Sequence, residues 1–254
     1  MKIAIAGKGG TGKTTISALI VRYLSGKHAG HVLAVDADPN SNLGEALGER
    51  PEKTIGRIID EVAKNPDKIP GGMTKDRYIE FEVQTIVQEA KGFDLLTMGK
   101  PEGPGCYCYV NNVLRGVLEK LVKGYDLCVI DNEAGLEHLA RKTAGSADVL
   151  LIVSDPSAAG LRAARRINGL VDELNLKFSR RFLVVNRVEG KGGEGYLDKE
   201  EPSLEFGGTV PEDEEIARAG RENKPVFQIK TSSAAFAAVR DIIEKVQRAD
   251  NNKK

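Results

Sequence analysis

The sequence predicts an α/β protein: a single doubly wound, mostly parallel sheet flanked by helices. Three observations carry that prediction. Short apolar runs alternate along the chain with amphipathic stretches of helical spacing, as parallel strands joined by crossover helices require. A glycine-rich turn joins the first apolar run to the first amphipathic stretch. The 254 residues are enough for one such domain with a sizeable core and few for two. Residues 1–254 are therefore read as one domain.

Residues 3–6 read as the first strand. Residues 14–24 read as a helix, with Ile16, Leu19, Ile20 and Tyr23 on one face. Strands follow at 32–35 and, more weakly, at 93–97. Residues 110–122 form a helix with the stripe Val113, Val117, Leu118 and Leu121. Further strands are expected at 127–130, 149–153 and 182–185, with a helix over 158–174 between the last two. Phe236, Val239, Ile242, Ile243 and Val246 recur at helical spacing. Such a stripe packs a core or, on a second reading, targets a membrane surface. Residues 64–74 and 189–202 read as loops, and 249–254 as a frayed tail.

Composition narrows the function. Lys+Arg and Asp+Glu both number 37, so the net charge is zero and the basic excess of a nucleic-acid binder is missing. No apolar run approaches the ~20 residues that span a bilayer. The first strand begins at once, leaving no room for a signal peptide. Three cysteines do not make a disulfide framework. A cytoplasmic setting is expected, with no nucleic-acid and no membrane partner.

Residues Gly7 to Thr14 read G-K-G-G-T-G-K-T, the G-x-x-x-x-G-K-[ST] phosphate loop, with a strand before it and a helix after it. Glycines let backbone N–H groups turn inward around an anion, and the helix N-terminus adds its positive end. Gly9, Gly10, Thr11, Gly12, Lys13, Thr14 and Thr15 are the expected nucleotide ligands. Lys13 is placed at the β- and γ-phosphates and Thr14 on magnesium. This is the chemistry of a P-loop nucleoside triphosphatase.

Other acids fall at strand ends. The second strand runs into Asp36-Ala37-Asp38-Pro39-Asn40, where ligands bind in open α/β sheets. Asp36 is read as structural or as an outer magnesium group. The apolar run 127–130 ends in Asp131, followed by Asn132-Glu133-Ala134-Gly135. Cys106-Tyr107-Cys108 sits in a Gly-Pro loop ahead of the 110–122 helix. Two thiols at i and i+2 of an extended loop face one side and can share a soft metal ion. The adjacent helix N-terminus favours their thiolate form. Two thiolates fall short of the four donors of a closed site, and a second copy across a twofold axis would supply the rest. The alternatives are two small buried residues or a redox pair. Cys128 reads as core, and His28, His31 and His138 lack ligand spacing.

The form K-G-G-x-G-K-T, with Lys8 after the first glycine, resembles the deviant Walker A motif of MinD/ParA-type ATPases. The resemblance implies that Lys8 crosses a dimer interface to the partner's phosphates. It further implies that Asp38 orients or activates the attacking water and that Asp131 is the Walker B acid on the magnesium side. Asn186 and Arg187, with Val210, Pro211, Glu212 and Asp213, resemble the family's base-contacting segments and favour ATP/ADP as ligand. In the switch loop Asn132 and Glu133 stand where the family more often has Thr and Pro.

Together the phosphate loop, D-A-D-P-N, C-Y-C and D-N-E-A-G resemble the CooC-type accessory ATPases over essentially the whole chain, Lys2 to about Val246. That resemblance implies an ATP-dependent homodimer, promoted by ATP and metal. It would bind Ni2+ or Zn2+ through Cys106 and Cys108 and assist nickel insertion into apo carbon-monoxide dehydrogenase. A positional ATPase of the MinD/ParA type, and an iron–sulfur scaffold or reductase related to the nitrogenase iron protein, are the alternatives.

Overall fold

The computed structural model describes residues 1–27, 31–101, 107–134, 147–190, 194–197 and 203–251. Its strands are β1 (Lys2–Gly7), β2 (Val32–Ala37), β3 (Gln88–Ala90), β4 (Phe93–Thr97), β5 (Leu127–Asn132), β6 (Val149–Ser154), β7 (Arg180–Val188) and β8 (Glu205–Pro211). They form one sheet in the order β3-β4-β2-β5-β1-β6-β7-β8. Every pairing is parallel except β3 with β4. β2, β5 and β6 are buried along their whole length, which is why they read as unbroken apolar runs with no alternation.

The described helices are α1 (Lys13–Lys27), α2 (Asn42–Leu47), α3 (Ile55–Lys64), α4 (Lys75–Thr85), α5 (Tyr107–Leu121), α6 (Ala158–Glu173), α7 (Glu214–Arg221) and α8 (Ala234–Asn251). One face of the sheet packs on α1, α2 and α8 through Ile3, Ile5, Ala34, Val129 and Leu151. The other face splits. Leu33, Val35, Leu96 and Ile130 meet α3, α4 and α5, while Ala4, Leu150, Ile152 and Val185 meet α6. This is the doubly wound architecture expected from the alternation.

Several elements differ from the sequence reading. α3 and α4 occupy a stretch to which no element was assigned. The signal for α3 is nonetheless present: Thr54 accepts a cap from Arg57 N at 3.3 Å, and Ile55, Ile58, Ile59 and Val62 lie on its buried face. β8 is broken by Gly207 and Gly208, which hide its strand character. The expected loop at 64–74 contains a 3-10 turn, Pro66–Lys68. The expected frayed tail is helical as far as Asn251. α5 begins at Tyr107, three residues before the predicted start, so Cys108 is helical and not part of an extended loop. The stripe Phe236, Val239, Ile242, Ile243 and Val246 lies in the core, where its apolar area is removed from water. Among the described residues no helix is long and apolar enough to cross a membrane.

Candidate active site

β1 is the centre of the sheet, flanked by β5 and β6, and the chain leaves it in opposite directions on either side. The crevice beyond its carboxyl end is the topological switch point of the fold. The phosphate loop lies there. Gly7 passes so close to β6 that a Cβ on it would stand 2.2 Å from the Val153 carbonyl oxygen. Gly12 has φ +89°, and a Cβ there would stand 2.3 Å from Asn186 Nδ2. Larger residues at these positions would force the loop off the sheet.

The loop is held by its own groups and by β7. Thr11, which is buried, donates from Oγ1 to the Lys8 carbonyl at 2.9 Å. Asn186 donates from Nδ2 to the Thr11 carbonyl at 2.9 Å, and Arg187 from Nη1 to the Gly10 carbonyl at 3.1 Å. Consecutive side chains of β7 thus clamp consecutive carbonyls of the loop. Arg187 adopts φ 58°, a left-handed conformation that a non-glycine residue rarely takes.

Beneath the loop, Thr14 Oγ1 donates to Asp131 Oδ2 at 2.7 Å. The Ser17 hydroxyl stands 2.9 Å from Asp131 Oδ1 and from the Lys13 carbonyl oxygen. Ser17, one helical turn after Thr14, escaped the sequence reading; the i, i+3 spacing is the signal that marks it. Burial pushes the Asp131 pKa up to about 6, although Thr14, Ser17 and Lys13 pull it down. Asp36 is fully buried beside Asp131, in register with it across β2 and β5. Burial, then the Asp131 charge, pushes its pKa up to about 7. Its carboxylate accepts from Leu43 N at 2.8 Å and Asp38 N at 3.2 Å, so Asp36 braces the turn that carries Asp38. Asp38 Oδ1 accepts from Asn40 N and Nδ2 at 2.8 and 2.9 Å.

Lys13 is only 8% exposed, and its Nζ lies 3.5 Å from the Lys8 carbonyl. Burial lowers its pKa, while Asp131, Asp38 and Glu133 act in the opposite direction. A polyanion bound here restores the cost of holding that cation out of water. Thr14 and Asp131 are hard oxygen donors of the kind magnesium prefers. Lys8 is exposed at the outer edge of the loop. Asn132, in the switch position, is buried and donates to the Ile5 carbonyl at 2.9 Å, tying β5 to β1.

Beside the loop runs a cleft of about 490 Å³, lined by Thr15, Ile16, Asn186, Arg187, Val210, Pro211, Glu212, Asp213 and Arg221, among others. It gathers every residue expected to contact a base, drawn from α1, β7 and β8. Asp213, from the same segment, lies there too; Arg221 carries no sequence signal that would place it there.

The cysteine site is less complete. Cys106 lies outside the described residues, and Cys108 stands in the first turn of α5. Tyr109 donates its hydroxyl to Asp76 at 2.7 Å and so ties that turn to the start of α4. Among the described residues there is no cluster of three or more His, Cys, Asp or Glu groups suited to a metal. Cys128 is buried in β5, and burial pushes its thiol up to about 12, where it stays protonated. His28 and His138 lie outside the described residues.

The comparisons agree with this geometry. Residues 2–226 match the CobQ/CobB/MinD/ParA nucleotide binding domain. The chain is 43% identical over 250 residues to an uncharacterized ATP-binding protein of Methanocaldococcus jannaschii, covering 97% of this chain and 98% of that one. It is 30% identical over 260 residues to the carbon monoxide dehydrogenase accessory protein CooC of Rhodospirillum rubrum, covering 97% of each. Among solved structures, the MinD cell division protein of Aquifex aeolicus shares the fold with a TM-score of 0.70 at 21% identity, over 97% of this chain and 96% of that one. The septum site-determining protein MinD of Pyrococcus horikoshii, complexed with Mg-ADP, does so with a TM-score of 0.67 at 23% identity, over 100% and 98%. The chain thus belongs to the CobQ/CobB/MinD/ParA nucleotide-binding family and is a P-loop ATPase.

Proposed function

We propose that this chain works as a homodimer switched by ATP with magnesium, and that the pair of copies carries one soft divalent metal ion to an apo-metalloenzyme of the carbon-monoxide dehydrogenase kind. The observation that carries the nucleotide half is the Thr14–Asp131 bond at 2.7 Å under an enclosed Lys13, with the 490 Å³ cleft alongside. Lys13 and the loop N–H groups bind the phosphates. Thr14 and Asp131 face magnesium, and Asp38 orients the attacking water. The cleft takes the adenine, with Asn186, Arg187 and the 210–212 segment against it. Lys8, exposed at the loop's edge, reaches the phosphates of the second copy.

The metal half rests on two cysteines two residues apart, Cys106 and Cys108, and on the similarity to CooC over 97% of the chain. Nickel is the proposed cargo, with zinc as a surrogate that thiolates also accept. The start of α5 at Tyr107 places Cys108 in the first turn of a helix, where the N-terminal dipole favours a thiolate. Each chain offers two thiolates, so the cysteines of two copies make a four-donor site. Metal and ATP then reinforce one another through the shared dimer, because linkage is reciprocal. A membrane-cycling role of the MinD type would call for a free apolar helix face, and the stripe of α8 is spent on the core.

The test is an anaerobic titration with nickel and with zinc, following oligomeric state with and without ATP. One metal per two chains is expected, with thiolate-to-nickel charge-transfer bands, and the affinity should fall as the pH drops. One metal per chain, indifferent to Cys106→Ser and Cys108→Ser, would sink the shared site. A brown, oxygen-sensitive protein after anaerobic purification would point to an iron–sulfur cluster instead.

A further inference from the structure

Asp213 makes more hydrogen bonds than a helix cap needs. It precedes α7, and its Oδ1 accepts from Glu215 N at 2.9 Å and Ile216 N at 3.4 Å, capping that helix. Its other oxygen, Oδ2, accepts from Ser233 Oγ at 2.8 Å and Ala235 N at 3.2 Å at the start of α8. Ser233, itself buried, accepts in turn from Phe236 N at 3.2 Å and so caps α8. One carboxylate therefore caps two helices, using both oxygens. Glu215 adds a second tie between the same segments, accepting from Lys230 N at 3.1 Å.

The place of this knot matters. Asp213 follows Val210, Pro211 and Glu212, and with them it lines the cleft beside the phosphate loop. α8 lies against α1, the helix that starts at Lys13, and buries Phe236, Val239 and Ile243 in the same core. Both Asp213 oxygens are engaged by protein donors, so the side chain is committed to the fold while its neighbours Val210, Pro211 and Glu212 line the cleft. Burial pushes the Asp213 pKa up, but the bonds from Ser233, Ala235, Glu215 and Ile216 outweigh that and leave it below the ordinary value.

We propose that Asp213 is a positioning residue for base recognition: by capping α7 and α8 together it holds the 210–212 wall of the cleft in place and links base occupancy to the docking of α8. The inference rests on the reading that this cleft takes the base of ATP. Two consequences follow from the bond pattern. An asparagine has one acceptor oxygen, so Asp213→Asn caps one helix and turns an amide N–H₂ toward the donors of the other. Ser233→Ala removes the hydroxyl's bonds to Asp213 and to Phe236 N, keeps the Ala235 N bond to Asp213, and leaves the α7 cap intact.

The test compares ATP with inorganic tripolyphosphate, which fills the phosphate loop but has no base. Binding of each to wild type, Asp213→Asn and Ser233→Ala is measured by calorimetry, with thermal denaturation to confirm that each variant is folded. Hydrogen exchange follows the Ala235 and Phe236 amides in parallel. Both variants are expected to weaken ATP roughly tenfold, the size of one lost cap expressed in binding, and to leave tripolyphosphate unchanged. In wild type, ATP but not tripolyphosphate should protect the α8 amides, and the variants should lose that protection. If ATP and tripolyphosphate weaken together, or neither weakens, Asp213 is a fold-holding residue only and the proposal is overturned. If wild type itself binds ATP no more tightly than tripolyphosphate, the base-cleft reading fails first and the proposal goes with it. That outcome is visible before any variant is made.

Discussion

The phosphate site and the cysteine site are built on opposite principles. The phosphate site draws its groups from distant parts of the chain: Thr14 meets Asp131 across 117 residues and Asn186 meets Thr11 across 175. Buried hydrogen bonds lock them, so a single copy presents loop, lysine and carboxylate in fixed positions. Cys106 and Cys108 are neighbours in sequence and need no sheet to bring them together. They supply two donors where a closed soft site takes four. On the proposed reading, folding completes the first site and association of two copies completes the second.

The comparison is broken most sharply by removing the thiolates. Cys106→Ser or Cys108→Ser should abolish the shared metal site outright while ATP affinity measured without metal stays within about twofold, since the sites have no residue in common. Loss of nucleotide binding in a calorimetric titration of these variants would show that the sites are one. Asp38→Ala should retain ATP binding and lose hydrolysis by about 10²–10⁴-fold, the usual worth of a positioned acid–base group. Turnover at the wild-type rate in a phosphate-release assay would assign the water to another residue. Lys13→Ala should weaken ATP by roughly 10²-fold, from the loss of a charge-assisted contact of about 2–3 kcal/mol. An unchanged Kd would remove the lysine from the phosphates.

The buried carboxylates give a smaller, pH-dependent effect. Asp36 has its pKa raised to about 7 in the fold, against roughly 4 in the unfolded chain. A raised pKa means that its contribution to stability is full below roughly pH 4 and is lost as the pH rises through about 7. The nucleotide-free protein should therefore lose Tm between pH 5 and pH 8 on this account, and Asp36→Asn should flatten that slope. A slope unchanged in the variant would show that Asp36 does not titrate with folding. The smallest effect is expected from Cys128→Ser: the buried, protonated thiol is no competing ligand, so metal stoichiometry should stay as in wild type.

Much of the phosphate site is legible locally. A loop that wraps an anion calls for glycine where φ is positive or a neighbour is close, and lysine and threonine follow at the helix start. Gly12, Lys13 and Thr14 therefore announce themselves within one turn of chain. α3 is legible in the same way through Thr54 and its isoleucines. β8 is not, because Gly207 and Gly208 erase its pattern. The start of α5 was misjudged because Tyr107 and Cys108 carry no strong helical preference of their own.

The fold class, the phosphate loop and the acid at the end of β5 are readable directly from residue spacing, as are the two cysteines. Each is written in short-range spacing that backbone sterics and dipoles read directly. Which distant groups meet depends on the packed fold. Asn186 and Arg187 clamp the loop, Ser17 joins Asp131, and Asp213 binds two helices at once. The physical reason is that strands buried on both faces look alike as apolar runs. Nothing in such a run states its neighbours, so the order that sets β1 between β5 and β6, and β7 beside β6, emerges only when the whole core is packed.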